Sequence, residues 1–104
     1  LNGRVFDYFQ LNKSERIHVQ YFITLLFHIR ELITFQIIQQ SFSDITINYI
    51  VQESMSFPEK QKAVIEEKMR IALRNNLNIS WVSKSQIDKT LSGKHFYARC
   101  DIKS

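Results

Sequence analysis

Apolar positions in the first half of the chain switch between strand-like and helix-like spacing. Residues 4–10 are rich in Val, Phe and Tyr and predict a strand, and residues 16–18 predict a short second strand after a turn near residues 12–14. Over residues 19–30 apolar side chains recur at helical spacing, which predicts a helix with one apolar face. Residues 33–40 and 45–53 then predict a β-hairpin, and the near-alternation of apolar and polar residues in its second arm is typical of a sheet with one packed face.

The second half predicts one more helix and two more strands. Pro58 can stand in the first turn of a helix, where its missing N–H costs nothing, and that helix is predicted to end near residues 75–76. Strands are predicted over 78–85 and 95–100. The order β-β-α-β-β-α-β-β indicates an α+β fold: a two-layer sandwich of a mixed or antiparallel sheet with two helices on one face. The inner stripe of the second helix is predicted to contain Val64, Ile65, Lys68, Met69 and Ala72, with the ammonium of Lys68 reaching solvent at its edge.

Length and composition are those of one folded domain over residues 1–104. The chain has 104 residues, of which 44% are hydrophobic, enough for a core. Cys100 is the sole cysteine, so no internal disulfide can form, and we expect a cytoplasmic protein. No apolar run approaches the roughly 18 residues of a membrane span, so no membrane partner is expected. Because the chain begins at Leu1 rather than Met, we expect it to be a piece of a longer protein.

Positive charge is concentrated at the end of the chain. The net charge is +4, and residues 81–104 carry five basic and two acidic side chains. A phosphate-bearing partner explains this excess, and so do lysines that protect a sheet edge; the composition leaves both open. Phe96, Tyr97 and Arg99 could stack on bases, but the alternating pattern of ribonucleoprotein strands is absent, so we expect no nucleic-acid partner.

Motifs for metal or for a nucleotide-binding P-loop are not found. His18, His28 and His95 lack ligand spacing, so no metal site is predicted. A P-loop requires glycine where this chain has Asp88, and Ser or Thr where it has His95.

The turn at residues 90–94 carries the most specific chemical signal. Thr90, Leu91, Ser92 and Gly93 precede Lys94, which the turn can present as a mobile cation. A long stem with a compact ammonium suits placing one positive charge beside a phosphate or carboxylate.

The two ends of the chain together resemble a known family. Gly3-Arg4-Val5-Phe6-Asp7 and residues 89–94 stand 90 positions apart, measured from Arg4 to Lys94. This pair is similar to the opening and closing motifs of the C-terminal domain of adenylate-forming enzymes, and the pattern between them resembles the phenylacetate-CoA ligase subfamily. The chain departs from the family pattern in four ways. Phe6 replaces an aspartate, Asp88 replaces a proline, and the first hairpin turn lacks its glycine. The arginine that often follows the final lysine is also missing, and Arg99 is only a distant substitute for it.

The resemblance implies a role for each motif. Lys94 would be catalytic in adenylation, supported by Thr90, Ser92 and Gly93, while Arg4 would bind the nucleotide and Phe6 and Asp7 would lie at the hinge. The chain would be a mobile lid whose partner is the N-terminal adenylation domain of the same protein. That larger domain would hold most of ATP and Mg²⁺, with a carboxylic acid as substrate and coenzyme A as acceptor.

A second interpretation needs no enzyme. Stand-alone domains with a ferredoxin-like sandwich, which bind small molecules or proteins, share this alternation of strands and helices, and a fold does not fix a function. Exposed sheet edges could also pair two copies into a homodimer.

Overall fold

The elements follow the predicted order. The computed structural model describes residues 8–86 and 96–102. These contain β1 (Tyr8–Gln10), β2 (Arg16–His18), α1 (Gln20–Phe27), β3 (Leu32–Gln39), β4 (Asp44–Val51), α2 (Glu59–Leu73), β5 (Asn78–Ser83) and β6 (Ala98–Cys100). The predicted β-β-α-β-β-α-β-β order and α+β class are therefore confirmed.

The main sheet is mixed, and its strands lie in the order β5-β4-β3-β6. β3 and β4 form the predicted antiparallel hairpin, in which Phe35 lies opposite Tyr49 and Ile37 opposite Ile47. β5 runs parallel to β4, and β6 runs parallel to β3. β1 and β2 form a separate two-stranded antiparallel sheet.

Alternate side chains of the central hairpin form the core with the helices. The buried apolar residues of β3 and β4 are Phe35, Ile37, Ile45, Ile47 and Tyr49. The helices contribute Phe22, Leu26, Ile65, Met69 and Leu73. Because successive strand residues point to opposite faces, one face of the hairpin is packed and its intervening residues face away from the core.

The predicted inner stripe of α2 was partly wrong. Ile65 and Met69 are buried as predicted, and Lys68, predicted at the edge of the stripe, is exposed. Leu73 is buried as well, whereas Val64 is 51% exposed. Residues four positions apart lie on one helical face, so the stripe of Ile65, Met69 and Leu73 turns Val64 toward the outer edge.

A buried glutamine joins the small sheet to the large one. Gln39 is fully buried at the end of β3. Its Nε2 donates to the carbonyl oxygen of Gln10 and its Oε1 accepts from the N–H of Gln10, both at 2.8 Å. The thiol of Cys100 also donates to Oε1 of Gln39, at 3.3 Å. The side chain of Gln39 thus takes the place of a neighbouring strand for β1.

Neither α1 nor α2 is long and apolar enough to cross a membrane, a finding that covers residues 8–86 and 96–102.

Candidate functional site

The site residues predicted from the sequence lie outside the described part of the chain. These are the catalytic Lys94, the nucleotide-binding Arg4, the supporting Thr90, Ser92 and Gly93, and the hinge residues Phe6 and Asp7. Their roles therefore stay predictions, and the structure shows what flanks them.

The chain between β5 and β6 contains Lys94, and we call it the lysine segment. Both of its flanks are hydrogen-bonded to the main sheet. The N–H of Lys84, just after β5, donates to the carbonyl oxygen of Tyr49 at 2.8 Å. The N–H of Ile37 donates to the carbonyl oxygen of Tyr97, just before β6, also at 2.8 Å. β5 and β6 lie at opposite edges of four strands, so they are about 14 Å apart at the usual strand spacing. The chain leaves β5 beside Tyr49, near the end of β4, and it enters β6 beside Ile37, in the last third of β3.

An aromatic cluster lies beside the entry to β6. Phe27, Phe35 and Tyr97 have ring centroids 5.0–5.5 Å apart, and we call them the Phe27 cluster. Phe35 is buried, whereas Phe27 is 56% exposed. Aromatic pairs at these distances contribute about 0.5–1.5 kcal/mol beyond the area they bury. The cluster therefore packs Tyr97, which precedes β6, against the core residue Phe35, and it leaves the ring of Phe27 facing solvent.

The guanidinium of Arg99 contacts the side chains of Asp101 and Phe96. Its Nε lies 2.7 Å from one carboxylate oxygen of Asp101, and its Nη2 donates to the other at 3.0 Å. The guanidinium also stacks on Phe96, at 4.9 Å from the ring centroid. A paired and stacked guanidinium is poorly suited to replace an arginine next to the predicted catalytic lysine.

The first hairpin turn, which lacks glycine over residues 12–15, is closed by the side chain of Asn12. Oδ1 of Asn12 accepts hydrogen bonds from the N–H groups of Ser14 and Glu15, at 2.8 and 2.9 Å. Its Nδ2 donates to the carboxylate of Glu15 at 2.8 Å. Asparagine can close a turn in this way because its short side chain reaches the backbone two residues on. The turn is therefore ordered without glycine.

The two described histidines are on the surface. His18 accepts the N–H of Gln20 at 3.0 Å, near the start of α1, and His28 follows the end of α1. His95 lies outside the described residues. In residues 8–86 and 96–102, no three His, Cys, Asp or Glu side chains lie close enough to hold a metal ion.

Sequence reasoning missed an aromatic box that encloses a lysine. The Nζ of Lys62 lies 5.3, 5.6 and 5.9 Å from the ring centroids of Tyr49, Phe57 and Trp81. It also pairs with the carboxylate of Glu59 at 3.0 Å. The three rings come from β4, from the segment before α2 and from β5, so no sequence spacing connects them.

Comparison with known proteins places the chain in a family. Residues 10–99 match the family model of the CapK C-terminal domain, which is most of the chain. The chain belongs to this family. The matched range includes the predicted lysine turn at residues 90–94, and it begins after Arg4.

The CapK C-terminal domain family assignment agrees with a structural likeness. The fold is similar to the crystal structure of a domain of phenylacetate-coenzyme A ligase from Bacteroides vulgatus ATCC 8482, with a TM-score of 0.58 and 15% identity. The alignment covers 94% of this chain and 95% of that chain. No curated protein sequence is significantly similar. The family match and the shared fold confirm the predicted resemblance to the C-terminal domain of phenylacetate-CoA ligase-like enzymes.

Proposed function

We propose that this domain belongs to a phenylacetate-CoA ligase-like enzyme that activates a carboxylic acid with ATP and passes the acyl group to coenzyme A. In the first step a carboxylate oxygen attacks the α-phosphorus of ATP, pyrophosphate leaves, and an acyl-adenylate forms. In the second step the thiol of coenzyme A attacks the acyl carbon and AMP leaves. The family match over residues 10–99, which includes the Ser92-Gly93-Lys94 turn, is the observation that carries this proposal.

Lys94 is assigned to the first step because two anions must approach each other there. Charge that is placed in advance where it develops in a transition state lowers the barrier strongly. The ammonium of Lys94 would neutralise part of the charge on the carboxylate and the α-phosphate. Gly93 would let the backbone bend so that the side chain reaches a neighbouring domain.

The described residues support this role through the anchoring of the segment. Lys84 and Tyr97 are tied to the two central strands, so the ends of the segment are held by the most buried part of the sheet. The exposed ring of Phe27 would contact the larger domain next to that segment. Phe6 and Asp7 would provide the hinge about which the domain rotates between the two steps.

ATP, Mg²⁺ and coenzyme A are assigned mainly to contacts with the larger domain. Mg²⁺ prefers carboxylate and phosphate oxygens, and no cluster of candidate ligands lies within the described ranges. Arg4 is the group of this chain that we assign to the nucleotide, since a guanidinium suits phosphate oxygens.

Replacing the lysine separates the two half-reactions. In the full-length enzyme, Lys94→Ala should slow acyl-adenylate formation by about 10²–10³-fold, the usual cost of losing one preorganised group that stabilises the transition state. Thioester formation from a supplied acyl-adenylate should change little. Pyrophosphate release measures the first step, and mass spectrometry of the acyl-CoA product measures the second.

Lys84→Ala is the matched control, because Lys84 is an exposed lysine whose backbone, not its side chain, makes the anchoring bond. It should leave both rates unchanged. An equal loss of both half-reactions in Lys94→Ala would overturn the role of this lysine. Full adenylation activity of Lys94→Ala would also overturn it.

A further inference from the structure

An apolar groove runs between the two helices on the surface of the domain. It has a volume of about 370 Å³. Leu25 and Ile29 form one side of its floor, and Val64 and Ile65 form the other. The volume falls in the range of about 300–1,000 Å³ that is usual for small-molecule sites, which are also mostly apolar.

Two unpaired lysines stand at the rim of this groove. Lys60 and Lys68 are exposed and line it from α2. In the described part of the chain, neither is in an ion pair with a carboxylate, although Lys62 and Arg70 on the same helix pair with Glu59 and Glu66. The basic side chains that face the groove are therefore the ones that α2 leaves available for an anion.

The polar end of the groove lies at the start of α2. Gln61 lines the groove there, and its Oε1 is buried without a hydrogen-bond partner among the described residues. Rotation of the amide about its last bond would turn the Nε2 donors toward the same place. The N-cap residue, Pro58, makes no side-chain cap bond, so the positive end of the helix dipole lies beside Lys60, and the acidic residue of the first turn, Glu59, is paired with Lys62 at 3.0 Å.

The dimensions favour a small amphiphile. Lys60 and Lys68 are eight residues apart, so the groove follows α2 for about 12 Å. An amphipathic helix of a partner protein needs a longer apolar face, since stable interfaces bury about 800 Å² on each partner. A short hydrocarbon chain with one anionic group matches the apolar floor and the polar end.

We propose that this groove binds an aliphatic monocarboxylate of medium chain length. The chain lies on Leu25, Ile29, Val64 and Ile65, and the carboxylate lies at the Lys60–Gln61 end. Lys68 contributes longer-range attraction at the other end. The site is separate from the adenylation chemistry and does not depend on it.

Binding of decanoate to the 104-residue chain tests this proposal. Titration calorimetry and methyl NMR should show decanoate binding with shifts at Leu25, Ile29 and Val64. Lys60→Gln should weaken it by about 2–5-fold, the loss expected for one exposed charge pair, and Lys68→Gln should weaken it less. Lys13→Gln, an exposed lysine outside the groove lining, is the matched control and should bind as the native chain does.

Substitutions of Val64 and an amphiphile of opposite charge test the apolar floor and the anionic end of the site separately. Val64→Trp should fill the floor and abolish binding, and Val64→Ser should weaken it without adding bulk; Val64 is exposed enough that circular dichroism should be unchanged in both. Decyltrimethylammonium has an apolar chain of the same length and the opposite charge, and should bind much more weakly. Equal binding of the two amphiphiles, or decanoate binding that survives Val64→Trp, would overturn the site, as would no binding to the native chain.

Discussion

One buried polar side chain, that of Gln39, joins two segments that are distant in the sequence. Gln39 lies on the core face of β3, on the same side as Phe35 and Ile37, where the alternation calls for an apolar residue. Its amide instead pairs with both backbone groups of Gln10. Buried backbone groups need such partners, because leaving one unpaired costs about 1–3 kcal/mol.

Removing that amide should destabilise the domain. Gln39→Leu keeps the volume nearly constant but leaves the N–H and the carbonyl of Gln10 without partners. We expect the free energy of unfolding to fall by about 2–4 kcal/mol, from two lost hydrogen bonds. Urea unfolding measures the loss, and hydrogen exchange should show reduced protection of the Gln10 amide.

The neighbouring Gln40 offers the control for this substitution. Gln40 is exposed and accepts one hydrogen bond, from Thr46 at 2.9 Å. Gln40→Leu should therefore change stability by no more than about 0.5 kcal/mol. If both variants unfold at the same urea concentration, Gln39 does not hold β1 to the main sheet.

At the scale of elements, α2 is attached to the sheet by Lys62 as well as by apolar contacts. The side chain of Lys62 is only 14% exposed, and its ammonium lies among the rings of Tyr49, Phe57 and Trp81. The indole N–H of Trp81 donates to Glu66 on the same helix at 2.6 Å, which fixes one wall of the box. These contacts connect α2 to β4 and β5.

The charge of Lys62 should matter for stability and for its pH dependence. Burial lowers the pKa of Lys62, but hydrogen bonds to Glu59 and Tyr49 outweigh it, so the pKa is raised above its ordinary value of 10.5. A raised pKa means that the stabilisation is complete below pH 10.5 and is lost as the pH rises above that value. Lys62→Met should cost about 1–2 kcal/mol at neutral pH by loss of cation–π attraction.

The measurement is urea unfolding followed by fluorescence of Trp81, at pH 7 and above pH 10.5. The difference between the native chain and Lys62→Met should shrink as the pH rises above 10.5, because the unfolded lysine then loses its proton more readily than the folded one. Lys60→Met is the control on the same helix and should be nearly neutral. A difference that stays constant across this pH range would show that only packing holds Lys62 in place.

At the scale of the whole molecule, the sheet order decides where the proposed catalytic lysine starts from. Among the strands of residues 8–86 and 96–102, β5 and β6 are consecutive in sequence but lie at opposite edges of the main sheet. The segment between them must therefore pass from one edge to the other, and its described flanks are bonded to β4 and β3. Under the proposed function, this segment would carry Lys94 to the larger domain, which would supply most of the groups for the reaction.

The 104-residue chain alone should therefore show no synthetase turnover. The proposed acid, ATP and Mg²⁺ sites belong mostly to the larger domain, so pyrophosphate release by the purified chain should equal the background rate for a panel of acids. The full-length enzyme assayed beside it provides the positive control. Turnover by the chain alone would contradict the assignment as a mobile lid.

Local patterns in the sequence were enough to predict the elements and their order. The 3.6-residue period of α1, the alternation in β4 and the proline before α2 are properties of neighbouring residues, so they could be identified without a structure. The paired motifs at Arg4 and Lys94 also pointed to the family, which the match over residues 10–99 confirmed. The roles of those two residues stay predictions.

Long-range contacts decided the rest. The box around Lys62, the bond between Gln39 and Gln10, and the groove beside Lys60 each join residues that are far apart in sequence or on different elements. The prediction of which side of α2 is exposed was also wrong for Val64. Apolar residues at helical spacing fit a stripe that includes Val64 almost as well as one that runs through Ile65, Met69 and Leu73, so the sequence pattern did not distinguish the two. The sequence by itself determined which segments are helices and strands and which family the chain belongs to, because residue spacing within each segment predicts the elements and short motifs carry the family resemblance. Only the tertiary structure decided which side chains meet, because that depends on how those segments pack.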